Sequence, residues 1–446
     1  MRRFDVVVVG GGSGAEAICG AGLGGASVAV IEELRFGGEC PFLACMPSKS
    51  MLHSATRHHL AAGPAPGGPS PAAYHAAAAR RDLVAEQQDD TGHARALREQ
   101  GAELIRAHAV IVAPGVVQAG EERLEAEALV IATGSEPTLP PIEGLAEVDY
   151  WLSDRLLTSP RLPASAAILG GGPVGCELAQ MLARFGCRTT LIEVAERLLL
   201  AEDPALGEAM AATLASDGVE LRLGRRVTSV SSRPGEAVVI HSEEEPVEVQ
   251  VLVVATGRRP RVHGLGLEVY GLEPGARQLD TDPQCRALGQ EHLFGVGDVT
   301  GVAPFTHTAN YQGRVVAANL RGKRVSADYR AIPRAVYTDP PVAAVGLSLV
   351  EASRRGISAV RVTARIGDTA RALTDEVERG EVVLIADRAR GVLVGAAMAG
   401  PSADESIAWA ALAIRAEIGL ELLRDTVSPF PTYSEAWSGA LAQLAL

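Results

Sequence analysis

Two cysteines stand five residues apart in the run Gly37-Gly38-Glu39-Cys40-Pro41-Phe42-Leu43-Ala44-Cys45-Met46-Pro47-Ser48-Lys49. The other four, Cys19, Cys176, Cys187 and Cys285, are scattered. A pair this close at a helix start can close a disulfide across the first turn. The helix dipole and Lys49 would stabilise a thiolate there and lower its pKa. Such a thiolate attacks sulfur electrophiles. Chance proximity and half of a metal site are the competing readings. No second cysteine or histidine pair has ligand spacing, so zinc is not expected and no metal is assigned.

Two glycine loops provide a second kind of chemistry. Gly10-x-Gly12-x-x-Ala15 follows an apolar strand and includes Gly14. The first glycine allows a tight turn, the second admits a pyrophosphate at a helix N-terminus, and the third small residue lets helix and strand pack closely. Glu32, with Glu33 beside it, ends the next strand about 20 residues on, where an acid can bond a ribose hydroxyl. Gly170-x-Gly172-x-x-Gly175 repeats the pattern, and Glu193 ends its following strand. An acid there favours NAD(H) over NADP(H), although Arg188 and Arg197 are near in sequence. Two dinucleotide sites on one chain imply electron transfer between a nicotinamide and a flavin, hence FAD.

The elements that must position these residues are legible in outline. Phe4–Val9 reads as a strand, Cys40–Leu60 as a helix, and 63–71 as a Pro/Gly loop. Residues 72–100 read as helix, interrupted near Asp89-Asp90-Thr91-Gly92, and 137–163 as a connection. Strands are expected at Ala166–Leu169 and Arg188–Ile192, then at Val382–Ile385 and Leu393–Ala397, with a helix over Asp404–Ala416. The 446 residues suffice for two to four domains. With 47% hydrophobic and 21% charged residues the balance is that of a soluble globular protein. The net charge of −13 argues against nucleic acid and anionic lipid as partners. No signal segment or apolar run of membrane-spanning length is evident, so the cytoplasm is the expected compartment.

With both glycine loops and the cysteine run in view, the chain resembles the flavoprotein disulfide reductases, dihydrolipoamide dehydrogenase among them. The family motif GGTCxNxGCxPSK stands here as GGECPFLACMPSK. The resemblance implies an α/β fold with two Rossmann-like dinucleotide-binding domains and an α+β dimerisation domain. The implied order is an FAD domain over 1–145 and 265–329, an NAD(P) domain over 146–264, and an interface domain over 330–446. It implies that Cys40 faces substrate and Cys45 faces FAD, with Gly38 at the cofactor. Lys49 and Glu177 resemble the ion pair beside the flavin. Ala132-Thr133-Gly134 and Gly257-Arg258-Arg259-Pro260 resemble the crossings between domains. Gly297 and Asp298 resemble the second FAD fingerprint, and Thr306-His307-Thr308-Ala309 would open a helix aimed at the flavin. A homodimer that shares its active sites follows from the same resemblance.

One landmark departs. The C-terminal signature His-Pro-Thr-x-x-Glu stands here as Phe430-Pro431-Thr432-Tyr433-Ser434-Glu435. Phe430 occupies the place of the acid–base histidine, as in the ketopropyl-coenzyme M oxidoreductase/carboxylase, while Glu435 is kept. General acid–base help is typically worth about 10²–10⁴-fold, so a substrate that needs an enzyme-supplied proton is disfavoured. Tyr433 could offer a hydroxyl or simply pack at the dimer interface. Mercuric reductases also lack the histidine, but carry a C-terminal cysteine pair; here no cysteine follows Cys285, which argues against mercury. The leading expectation is hydride transfer from NAD(P)H through FAD to the Cys40–Cys45 disulfide and on to a small sulfur substrate. The alternative is a quinone or metal-ion reductase in which the disulfide is secondary. A non-catalytic flavoprotein subunit or redox sensor comes third.

Overall fold

The computed structural model describes residues 1–63, 68–232, 237–273 and 275–444. It contains two compact units. The first is built from Met1–Pro47, Arg80–Thr138 and Gly257–Asp328, the second from Ser48–Ala79, Leu139–Thr256 and Tyr329–Leu446.

In the first unit, Arg2–Val9 lies at the centre of a seven-stranded sheet, parallel to Val28–Glu32 on one side and Glu122–Ile131 on the other. Ala102–Arg106 extends the first side. The long Glu122–Ile131 strand takes the Val116–Ala119 hairpin partner at its start and parallel Leu293–Gly295 at its end. The apolar run Val6–Val9 is buried on both faces, as expected of a strand covered above and below. Val7 and Val9 pack with Ile31 and Leu129. Val6 and Val8 pack with Ile18, Val315 and Val316 of the helices Ser13–Gly20 and Thr306–Leu320. At the strand's end Gly10 has φ +103°, and a Cβ there would lie 2.3 Å from the Ala132 carbonyl oxygen. Only glycine fits that turn.

The second unit repeats the plan. Its parallel sheet runs Glu220–Leu223, Arg188–Glu193, Ser165–Leu169, Val251–Val254, Tyr150–Trp151. The helix Pro173–Arg184 follows the second glycine turn, with proline in its first turn where no amide is needed. A Cβ on Gly175 would sit 1.9 Å from the Gly170 carbonyl oxygen, so helix and turn touch there. The last third is an antiparallel sheet, Arg334–Val336, Val342–Gly346, Val392–Ala399, Glu381–Asp387, Ala359–Arg365. Val382 and Leu384 pack on the helices Ala403–Arg415 and Glu435–Ala442. The fold is thus α/β, with two Rossmann-like sheets and a C-terminal α+β part.

Two expectations need correction. The 137–163 connection contains the strand Tyr150–Trp151 and the helix Ser153–Thr158. The interruption expected near Asp89-Asp90 is present and begins earlier, at Ala85, with Glu86, Gln87 and Gln88 at positive φ before the helix restarts at Thr91. The helix expected from Cys40 is two helices, described below. Residues 64–67 of the Pro/Gly loop lie outside the described residues, and its end, Pro71, already opens a helix.

Candidate active site

In the first unit Gly38 leads into a four-residue helix, Glu39–Phe42, and a second helix, Cys45–Ala62, begins at Cys45 itself. The cysteines therefore flank a break instead of sharing one first turn. Pro47 explains it. A helix running through would need an amide at 47 to meet the Leu43 carbonyl, and proline has none. In the first turn of a new helix that loss is harmless. The amides of Leu43 and Ala44 both turn back to the Glu39 carbonyl, at 2.8 and 3.0 Å, which folds the break tightly.

Both thiols are half-buried. Cys45 Sγ lies 3.5 Å from Thr306 Oγ1. Cys45 is the first residue of an 18-residue helix, whose N-terminal dipole favours a thiolate. Thr306 in turn opens Thr306–Leu320, where the first helical amide bond runs from Ala309 to Phe305. The amides of Thr306, His307 and Thr308 precede that ladder. His307 is exposed and stacks on Phe305, with ring centroids 5.1 Å apart. Thr308 Oγ1 is buried, and no hydrogen bond reaches it among the described residues.

The same unit fits an adenine dinucleotide with FAD's chemistry. Gly12, the N-cap of Ser13–Gly20, offers no side-chain cap, and Gly12 pairs with Gly37 as a backbone bridge. Gly14 and Ala15 are buried in that helix's first turn. Glu32 accepts the amides of Gly11 and Leu34, each at 2.7 Å, which fixes its carboxylate at the glycine turn. Glu33 is exposed and pairs with His108 at 3.0 Å. Thr133 Oγ1 donates to the Arg261 carbonyl, and Ala132 and Gly134 flank it at the end of the Glu122–Ile131 strand. Asp298, beside Gly297, accepts the Ser135 hydroxyl at 2.6 Å. Gly257 precedes the short strand Arg258–Pro260, antiparallel to Ser135–Pro137.

In the second unit Lys49 Nζ meets Glu177 Oε2 at 2.7 Å, while the amide of Tyr337 donates to Glu177 Oε1 at 3.0 Å. Lys49 also sits 4.7 Å from the Tyr337 ring centroid. The sequence named the ion pair but not Tyr337, since nothing local links residues so far apart. Glu193 repeats the role of Glu32, accepting the amides of Gly171 at 2.5 Å and Ala195 at 2.8 Å beside Gly170, Gly172 and Gly175. Arg197 is spent on the carbonyls of Leu199, Leu200 and Glu202, and Arg188 begins the strand that Glu193 ends.

Phe430 is 76% exposed. Glu435 accepts the Thr432 amide at 2.9 Å, in the turn that precedes its helix. The Tyr433 hydroxyl donates to Asp375 at 2.8 Å, and burial together with that carboxylate pushes its pKa above the usual phenol value. It is no base at neutral pH. Burial raises the Cys19 thiol to about 11 and the Cys187 thiol to about 12, and raises Cys176 further still. These three are inert.

Residues 4–313 match the family model described as pyridine nucleotide-disulphide oxidoreductase, and residues 332–441 match its dimerisation domain. The chain is similar to a mercuric reductase of Shigella flexneri, 34% identical over 97% of this chain and 79% of the relative. It is also similar to a dihydrolipoyl dehydrogenase of Thermus scotoductus, 33% identical over 98% and 96%. Among solved structures, the HOCl-induced flavoprotein disulfide reductase RclA of Escherichia coli, determined as a Cu(II) complex, superposes with a TM-score of 0.87, 26% identity and full coverage of both chains. No helix among the described residues is long and apolar enough to cross a membrane. The chain belongs to the pyridine nucleotide-disulphide oxidoreductase family and is an FAD-dependent oxidoreductase.

Proposed function

We propose that this enzyme uses NADH to reduce a small sulfur electrophile through a Cys40–Cys45 disulfide. In this reading 1–145 and 265–329 bind FAD, 146–264 binds the nicotinamide nucleotide, and 330–446 forms a homodimer. FAD, when bound, would accept a hydride from the nicotinamide and deliver the electron pair onward. Gly10, Gly12, Gly14, Ala15 and Glu32 would hold its adenosine and pyrophosphate, and Asp298 and the Thr306–Ala309 turn its flavin end. The observation that carries the proposal is the contact of Cys45 Sγ with Thr306 Oγ1, at the start of two helices together. Two converging positive dipole ends suit a thiolate and an electron-rich ring in one place.

NADH, one proton and the disulfide give NAD⁺ and two thiols at Cys40 and Cys45. Each thiol gives its proton to water before it reacts; the Cys40 thiolate attacks a substrate sulfur, a new S–S bond forms, the substrate's own bond to that sulfur breaks, and a thiolate leaves. Attack of Cys45 on Cys40 restores the disulfide and releases the second product thiolate. Phe430 supplies no proton, so the preferred substrate has a leaving group that departs as an anion. The committed side chain of Arg197, with Glu193 on the turn, supports NADH over NADPH. Exposed Val427 and Phe430, at 91% and 76%, support a covering partner chain.

A second reading takes a soft metal ion as acceptor, favoured by the likeness to mercuric reductases. Cys40→Ser separates the disulfide path from direct flavin chemistry. The variant should lose disulfide reduction while it keeps the NADH-to-quinone and metal-ion turnover that reduced flavin supports directly. Retained disulfide reduction in Cys40→Ser would refute the proposal.

A further inference from the structure

A chain of hydrogen bonds runs from Asp298 to the residue beside Cys40, entirely within the first unit. Asp298 Oδ2 accepts the Ser135 hydroxyl at 2.6 Å. That hydroxyl accepts Arg258 Nε at 2.8 Å. Arg258 Nη2 donates to the Ser135 carbonyl at 2.8 Å and to Glu39 Oε2 at 2.6 Å. Arg261 adds a looser charge contact to Glu39 at 3.6 Å. Ser135 is buried, and Arg258 lies on a strand paired to the strand that carries Ser135. Four residues are too few to hold a helix unaided, and Gly38 gives Glu39–Phe42 no side-chain cap. The Glu39 carboxylate thus ties that helix to the ribbon of Ser135–Pro137 and Arg258–Pro260.

We propose that Arg258 is a positioning residue that pins the Cys40 helix to the Asp298 end of the flavin site through Glu39. The planar guanidinium suits the role, because it binds Ser135 and Glu39 at once where a lysine offers a single point charge. The tie limits local opening of Glu39–Phe42 and so limits access to the Cys40 thiol. Cys45, on the separate Cys45–Ala62 helix, is outside its reach. The inference deepens the reading of Cys40 as the substrate-facing thiol and rests on it.

The test is the rate of iodoacetamide alkylation at fixed pH, read by peptide mass at Cys40 and Cys45 separately, in FAD-loaded protein reduced with dithiothreitol. Loss of a partly exposed charge-assisted tie should speed Cys40 alkylation about 3–5-fold in Glu39→Ala, Arg258→Ala and Arg258→Lys. Cys45 should keep its native rate, and Glu39→Ala/Arg258→Ala should match the faster single variant. A purely electrostatic role predicts the opposite pattern: Glu39→Ala speeds Cys40 and Arg258→Ala slows it. That pattern, unchanged rates, or multiplicative effects in the double variant would overturn the proposal. Should Arg258→Ala fail to hold FAD, the Glu39→Ala and Arg258→Lys comparison decides alone. Dithiothreitol makes the result independent of catalysis. If NADH exposes no new thiols in the native protein, the catalytic reading fails and this comparison still stands.

Discussion

Glu177→Gln measures what the Lys49–Glu177 pair contributes. The Glu177 side chain is 8% exposed and that of Lys49 is 36% exposed. A charge-assisted hydrogen bond is worth about 1.5–3 kcal/mol net when shielded. Water reaches the lysine end here, which screens the pair, so about 1–2 kcal/mol is the appropriate figure. Glutamine can still accept the Tyr337 amide through its carbonyl, but its amide group then turns toward the ammonium, donor against donor. Alanine removes both acceptors and with them the bond from the Tyr337 amide, which adds about 0.5–1.5 kcal/mol. All three tryptophans, Trp151, Trp409 and Trp437, belong to the second unit, as does the pair. Urea unfolding followed by tryptophan fluorescence therefore reports on the right part of the molecule. The expected order of midpoints is native, then Glu177→Gln, then Glu177→Ala. A cycle with Lys49→Met should give a coupling of about 1 kcal/mol or more. A Glu177→Gln loss below about 0.5 kcal/mol, within the range of ordinary surface changes, would refute the reasoning.

Other outcomes follow from the same structure. Burial would raise the Asp203 carboxyl, but the Arg361 hydrogen bond, the Ala205 amide and the charges of Arg361 and Arg197 outweigh it and hold the pKa below the usual carboxylate range. A carboxyl lowered on folding stabilises above its unfolded pKa and loses that contribution as pH falls through its folded value. Native protein should thus exceed Asp203→Asn in stability near neutral pH, with the gap closing below about pH 4 in acid-unfolding curves. Cys19, Cys176 and Cys187 should resist iodoacetamide at pH 8 in the native state, with only Cys40 and Cys45 gaining label after reduction; early labelling at Cys176 would contradict its burial. Phe430→His should raise turnover of disulfides with poor leaving groups by about 10²-fold, the low end of acid–base gains, because Glu435 is spent on the Thr432 amide. An unchanged rate with such substrates would remove Phe430 from the account.

Much of this was legible because it is local. The strand, glycine turn, helix and acid of each nucleotide-binding half lie within one stretch of chain, so their spacing alone picks out Glu32 and Glu193 as acids ending the second strand; the bonds to the Gly11 and Gly171 amides come from the structure. The helix break at Leu43–Ala44 was also local, and was missed because helical composition outweighed the placement of Pro47. The remainder was not readable by any period. Thr306 meets Cys45, Tyr337 meets Glu177, and Arg258 meets Glu39, each across more than 150 residues. Such contacts depend on how strands are ordered in a sheet, and composition carries no trace of that. The Asp375 partner of the Tyr433 hydroxyl, 58 residues away in the chain, was illegible for the same reason.

The central claim is that electrons pass through Cys45, and anaerobic titration of the oxidised protein with NADH tests it directly. On this account the first two electrons leave the flavin oxidised, a long-wavelength charge-transfer band appears, and two new thiols become titratable. Direct bleaching of the flavin with no such band and no new thiols would contradict it.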